Sequence, residues 1–141
     1  MESYPKKTVI YTDGSCRPNP GPGGYGFIIL DRNTNGGPIE WHISGGEDNS
    51  TNNRMELTAV IEALKFAYDK KDIKMYSDSM YVINCAQGKW LRKKNIDLWR
   101  EYNYVSNGKN IEWIWVKAHN GNKYNELVDN LAKKEVNSNK K

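Results

Sequence analysis

Four acidic residues, Asp13, Glu56, Asp78 and Asp129, carry the chemistry that this chain can do. Each falls at an end or in the first turns of a predicted strand or helix, where side chains from distant segments converge. Carboxylates brought that close cannot all ionise unless protons or cations neutralise them. An all-oxygen donor set favours hard cations such as Mg²⁺ or Mn²⁺. Taken singly, each acid has an ordinary explanation: an acid at a helix start complements the macrodipole, and an Asp after a strand forms turns or caps. Taken as four placed to converge, they point to a metal-dependent enzyme. His119 lies in KAHNGN, a Gly- and Asn-rich stretch after the last predicted strand. A lone loop His is usually a surface residue, but beside a metal site an imidazole that titrates near neutrality can shuttle protons or release product. His42 lies within a predicted strand without such company and is assigned to structure.

The elements that must position these groups follow from residue pattern. Residues 8–12 (TVIYT) are β-branched and aromatic and read as a strand, followed by a Gly- and Pro-rich turn segment over 13–24. On this reading Asp13 ends the first strand. Residues 25–31 (YGFIILD) and 39–43 (IEWHI) read as strands joined by the turn NTNGG, so three antiparallel strands open the domain. Leu57, Val60, Ile61, Leu64 and Tyr68 recur at helical spacing across 53–68, with Thr51 or Asn52 as N-cap. A short strand, 73–77, precedes Asp78, and a short helix over 79–86 is one that Gly88 can terminate. Residues 95–105 present Ile96, Trp99, Tyr102 and Tyr104 for another amphipathic helix. Residues 111–116 alternate as a last strand, and 125–136 form a final helix through Leu127, Val128 and Leu131. Three strands followed by alternating helices and strands imply an α/β fold. Its mixed sheet is antiparallel first and then parallel, with helices on both faces.

Bulk properties narrow the class. A length of 141 residues fits one domain, with a core over about 8–136 and a polar tail at 137–141. A mean hydropathy of −0.84 leaves no apolar run long enough to span a bilayer. The first residues lack a secretory layout and the two Cys give no disulfide framework, so a cytoplasmic monomer is expected. A net charge of +4 and a pI near 9.0 lean weakly toward a polyanionic partner.

The segments YTDGSC at 11–16, NNRMEL at 52–57, SDSMYV at 77–82, WVKAHNG at 115–121 and NELVDNLA at 125–132 resemble type 1 ribonuclease H, in order from about Thr8 to Val136. Motifs in register, each with its acid or His, make a specific signal. The resemblance implies a five-stranded mixed sheet in the order 3-2-1-4-5, with the first strand beside the fourth. It implies an endoribonuclease that hydrolyses the RNA strand of an RNA–DNA hybrid and leaves 5′-phosphate and 3′-hydroxyl ends. Two Mg²⁺ ions per site, with Mn²⁺ as a substitute, would be held by Asp13, Glu56, Asp78 and Asp129, and His119 would assist turnover. Asp13 would bridge both ions, Asp129 would help hold the ion that activates water, and Glu56 and Asp78 the ion at the leaving oxygen. Glu126 resembles an additional acid near the site, although a Glu at a helix start also stabilises the helix.

By the same resemblance Cys16, Asn19, Asn52, Asn53 and Met80 contact the minor groove and the RNA strand. Thr51 and Asn95 match positions that bind a DNA phosphate, and Tyr81 and Trp90 match aromatics lining a deoxyribose channel. Thr51 also suits an N-cap, and Tyr81 and Trp90 also suit the core. Between Trp90 and Asn95 only Leu91, Arg92, Lys93 and Lys94 stand where many relatives carry a basic helical protrusion. The expectation is that Arg92, Lys93 and Lys94 supply part of that charge. Integrases, transposases and junction resolvases share the sheet and the acids but cut DNA. The NNRMEL and KAHNG segments favour ribonuclease H over them.

Overall fold

The computed structural model describes residues 7–32, 35–117 and 121–139. The elements run β1 (Thr8–Cys16), β2 (Gly21–Arg32), β3 (Pro38–Ser50), α1 (Asn52–Phe66), β4 (Asp72–Ser77), α2 (Met80–Ala86), α3 (Ile96–Ser106), β5 (Asn110–Trp115) and α4 (Lys123–Asn139). The sheet has the expected order β3-β2-β1-β4-β5. β1 pairs antiparallel with β2, and β2 with β3, whereas β4 lies parallel to both β1 and β5. No helix among the described residues is long and apolar enough to cross a membrane.

Alternation along the strands divides the core between two faces. Ile10, Phe27, Ile29, Ile73 and Met75 meet Leu57, Val60, Ile61 and Leu64 of α1, Val82 and Cys85 of α2, and Trp99 and Tyr102 of α3. On the opposite face Tyr11 and Ile28 meet Val128 of α4, flanked by Leu127, Leu131, Tyr76 and Tyr124. Burying each large aliphatic side chain stabilises the fold by about 1.5–3 kcal/mol. The sheet is therefore packed by helices on both faces, with β3 and β5 at its edges.

The first three strands extend well beyond the sequence expectation. The segment read as a turn over 13–24 is mostly strand: Asp13 pairs with Gly26, Gly14 with Tyr25, and Cys16 with Gly23. Only residues 17–20 form the connection. Likewise β3 continues through the polar run to Ser50, where residues 39–43 were expected. The physical reason is that glycine in these strands accommodates close helix backbones instead of making turns. A Cβ on Gly24 would lie 2.2 Å from the Ala132 carbonyl oxygen of α4, and one on Gly14 would lie 2.2 Å from the Met55 carbonyl carbon of α1.

Helix ends differ from expectation for local reasons. Thr51 caps α1, its hydroxyl accepting from the Arg54 N–H at 3.2 Å. The helix stops at Phe66, so Tyr68 is 80% exposed rather than part of an apolar stripe. Ser79 caps α2 by accepting from the Val82 N–H, and Gly88 ends that turn with φ +78°. In α3, Trp99 and Tyr102 are buried while Ile96 and Tyr104 face outward, and Leu98 packs against the core instead. Helix α4 begins two residues early because the Asn122 side chain accepts from the Asn125 N–H at 2.9 Å.

Candidate active site

Parallel pairing aligns two of the acids. Tyr11 of β1 lies opposite Tyr76 of β4, so Asp13, two residues further along β1, and Asp78, just past the end of β4, are carried out side by side. Asp13 is therefore within β1 rather than at its end. Asp78 sits in the strand-to-helix corner, which is built from its neighbours. Ser77 Oγ accepts from the Ser79 N–H at 3.0 Å, and the Trp115 indole N–H donates to the Asp78 carbonyl at 3.3 Å.

Gly14 brings in the third acid. Because position 14 has no side chain, the second turn of α1 lies directly against β1. The Gly14 N–H is then shared between two carboxylates, Asp13 Oδ1 at 2.9 Å and Glu56 Oε1 at 3.1 Å. Asp13, Glu56 and Asp78 each present an oxygen, and these oxygens all lie within 4.8 Å of one another. Asp13 is 4% exposed and the other two are half-buried.

Such proximity shows in protonation. Burial, followed by the charges of Asp78 and Asp129, pushes the Asp13 carboxyl up to about 8, while the Gly14 N–H opposes the shift. Burial, followed by the charge of Asp13 and then of Asp78, raises Glu56 well above the carboxylate range. Without a cation the cluster must keep protons at neutral pH. The donors are all oxygen and carry excess negative charge, so the residues fit one or more hard divalent cations.

Asp129, on the second turn of α4, stands just outside this trio. Its charge helps raise the Asp13 carboxyl, and its Oδ2 is paired with Lys133 Nζ at 3.0 Å. Glu126 is exposed in the first turn of α4. His119 lies outside the described residues. His42 is an exposed strand residue whose Nε2 is 3.0 Å from Glu40 Oε1.

Beside the acids is an open cleft of about 440 Å³ lined by Asn19, Pro20, Thr51, Asn52, Asn53, Lys94 and Asn95. Asn19, Thr51, Asn52, Asn53 and Asn95, all expected to contact substrate, thus come together. Asn52 fastens the cleft: its N–H donates to Asn19 Oδ1 at 3.0 Å and its Oδ1 accepts from the Cys16 N–H at 2.8 Å. The Cys16 thiol is buried, its one S–H lying within reach of the carbonyls of Gly21 at 3.0 Å, Ser50 at 3.2 Å and Pro18 at 3.4 Å. Met80 and Trp90 are each 48% exposed. Tyr81 is half-buried, and its hydroxyl accepts from Asn95 Nδ2 at 2.9 Å and from the Trp99 indole N–H at 3.0 Å.

Gly14, Arg54 and Asp97 are contributors that the sequence alone does not announce. Gly14 was read as a turn residue. Arg54 forks onto Asp97, with Nη1 donating to Oδ1 at 3.0 Å and Nη2 to Oδ2 at 2.7 Å, and Nη1 also donates to Asn95 Oδ1 at 3.2 Å. These partners are remote in sequence, so no local spacing announces them. Asn95 itself adopts a left-handed conformation with φ 59°, which Asn tolerates better than most residues.

A mixed α/β sheet holding a buried all-carboxylate centre at one end defines the class, a metal-dependent hydrolase. Comparison with known proteins narrows it. Residues 5–137 match the family model described as RNase H. A protein named Ribonuclease H from Ehrlichia canis (strain Jake) is 45% identical, the match covering 96% of this chain and 99% of that one. The crystal structure of LC9-RNase H1, described as a type 1 RNase H with the type 2 active-site motif, superposes with a TM-score of 0.80 at 28% identity, covering 99% of this chain and 76% of that one. The crystal structure of LC11-RNase H1 in complex with an RNA/DNA hybrid has the same fold, with a TM-score of 0.78 at 24% identity, covering 94% of this chain and 98% of that one. The chain belongs to the ribonuclease H family and is a metal-dependent nuclease.

Proposed function

We propose that this nuclease hydrolyses the RNA strand of RNA–DNA hybrids with two divalent ions, Mg²⁺ or in its place Mn²⁺, leaving 5′-phosphate and 3′-hydroxyl ends. The observation that carries the reading is the carboxylate trio within 4.8 Å, set beside a cleft of short polar side chains. Asp13, a member of the trio whose carboxyl also feels the charge of Asp129, would serve both ions. Glu56 and Asp78 would complete one ion's ligand set and Asp129 the other's. When bound, such ions neutralise charge on phosphate oxygens and generate a nucleophile near neutral pH.

The chain's own residues do the rest. Gly14 holds two of the carboxylates with one N–H, so the ligand set is assembled before substrate arrives. The cleft offers amides, a hydroxyl and one Lys, a set suited to sensing 2′-hydroxyls and phosphates across a shallow minor groove. LC11-RNase H1, which shares the fold, was crystallised in complex with an RNA/DNA hybrid, and this supports the same substrate here.

The test is gel analysis of strand-labelled hybrid, double-stranded RNA and double-stranded DNA, each with Mg²⁺ or with a chelator. The expected result is cleavage of only the RNA strand of the hybrid, dependent on metal. Cleavage of DNA, or an intact RNA strand with Mg²⁺ present, refutes the assignment.

A further inference from the structure

Residues 87–95, which join α2 to α3, carry no helix and leave Lys93 and Lys94 exposed, neither of them in an ion pair among the described residues. Arg92, expected to share that charge with them, does something else. Its guanidinium turns back onto the protein. Nε donates to the Cys85 carbonyl at 3.0 Å and Nη2 to the Ala86 carbonyl at 3.5 Å, both in the last turn of α2. Nη1 donates to Asn103 Oδ1 of α3 at 2.7 Å. The same group lies 4.4 Å from the ring centre of Trp99 and 5.6 Å from that of Tyr102.

One planar cation therefore satisfies helix-end carbonyls, favours their negative dipole end, and stacks on aromatic faces. Trp99, beneath it, donates to the Tyr81 hydroxyl, which also accepts from Asn95, which in turn accepts from Arg54. The connection is thus fixed at Arg92 and again at Asn95. Lys93 and Lys94 lie between these two points, and Lys94 lines the cleft.

We propose that Arg92 is a positioning residue for nucleic-acid binding: it clamps the connection 87–95 onto α2 and α3, so that the backbone carrying Lys93 and Lys94 is held in place, with Lys94 lining the cleft and Lys93 next to it, without contacting phosphate itself. The proposal rests on the hybrid reading above. Preorganisation spares a binding site the ordering cost of long side chains, and for two lysines its loss amounts to an affinity change on the order of tenfold.

The test is a double-mutant cycle on the full chain, with KM and kcat for a labelled hybrid in Mg²⁺, and thermal melts to set a temperature at which all variants are folded. Arg92→Ala is expected to raise KM on the order of tenfold with kcat retained. Arg92→Lys keeps the charge but not the planar fork, so it should behave like Arg92→Ala. The pair Lys93→Ala with Lys94→Ala should raise KM in the wild-type background and add little in the Arg92→Ala background, because the lysines act through the clamp. Additive effects, or rescue of KM by Arg92→Lys, overturn the proposal, the latter making Arg92 a plain phosphate contact. A wild-type chain that neither binds nor cleaves hybrid overturns both this inference and the hybrid reading. A wild type that cleaves hybrid with an additive cycle overturns this inference alone.

Discussion

Replacing Gly14 by Ala should damage the active site by moving a helix, without touching a carboxylate. A Cβ at position 14 would lie 2.2 Å from the Met55 carbonyl carbon, 2.3 Å from the Glu56 nitrogen and 2.5 Å from the Met55 oxygen. These are backbone atoms inside α1, so no rotamer change relieves the clash. Non-bonded carbon atoms settle at about 3.5–4.0 Å, so β1 and the second turn of α1 must part by more than about 1 Å, roughly 1.5 Å. The Gly14 N–H to Glu56 Oε1 bond, already 3.1 Å, is then lost, and Glu56 leaves the trio. A misplacement of about 1 Å costs on the order of 10²-fold in rate, or about 2.7 kcal/mol of barrier. Overpacking should also reduce stability by roughly 1–3 kcal/mol. Ile73→Val is the control, because it removes one buried methylene at the far end of β4, opposite Thr8, at a cost of roughly 0.5–1.5 kcal/mol, and leaves α4 and the contact between α1 and β1 alone. The assay is hybrid cleavage per folded molecule, with urea unfolding of both variants. Comparable stability losses with a much larger activity loss in Gly14→Ala are expected. A folded Gly14→Ala enzyme with wild-type specific activity refutes the reasoning.

Asp13→Asn should abolish Mg²⁺-dependent cleavage while hybrid binding, measured by fluorescence anisotropy, stays largely intact; wild-type-like turnover would remove Asp13 from the metal centre. Metal-free protein should lose stability as pH rises. The Asp13 carboxyl, raised to about 8 by burial and by Asp78 and Asp129, holds a proton that the unfolded chain has released. Its contribution is fully present below the unfolded value near 3.8 and is lost as pH climbs through about 8. Thermal melts in chelator should show that decline, and Asp13→Asn should flatten it; an equally steep decline in the variant contradicts the assignment. His119→Ala should slow turnover by about 10²–10⁴-fold, the usual contribution of a proton-transfer group. An unchanged rate and pH profile would make His119 an ordinary loop residue.

Much of this architecture was legible in the sequence because hydrophobic period and acid placement reinforced each other. Val60, Ile61 and Leu64 announced α1, and Thr51 announced its cap. Asp13, Glu56 and Asp78 were visible as acids beside strand and helix starts, although Asp13 proved to lie inside β1 rather than at its end. The extent of β1 and β2 was obscured because glycine serves two opposed purposes. Gly14 and Gly24 make room for helices on a continuous strand, yet in sequence they look like turn formers. Exposure was hard to read in α3, where Tyr102 is buried and Tyr104 is not, because aromatics suit both a core and a wet surface. Arg92 resembled any surface cation. Its purpose depends on carbonyls at the end of α2 and a ring on α3, which only the fold brings together.

Above all, the fold gathers carboxylates that cannot all ionise, so that divalent cations can take the place of their protons. Calorimetric titration of metal-free protein with Mn²⁺ near pH 7, in buffers of different ionisation enthalpy, tests this most directly by counting protons released per ion bound. Proton release on binding is predicted, diminished by Asp13→Asn and by Glu56→Gln. Binding without proton release, or binding indifferent to both substitutions, would contradict it.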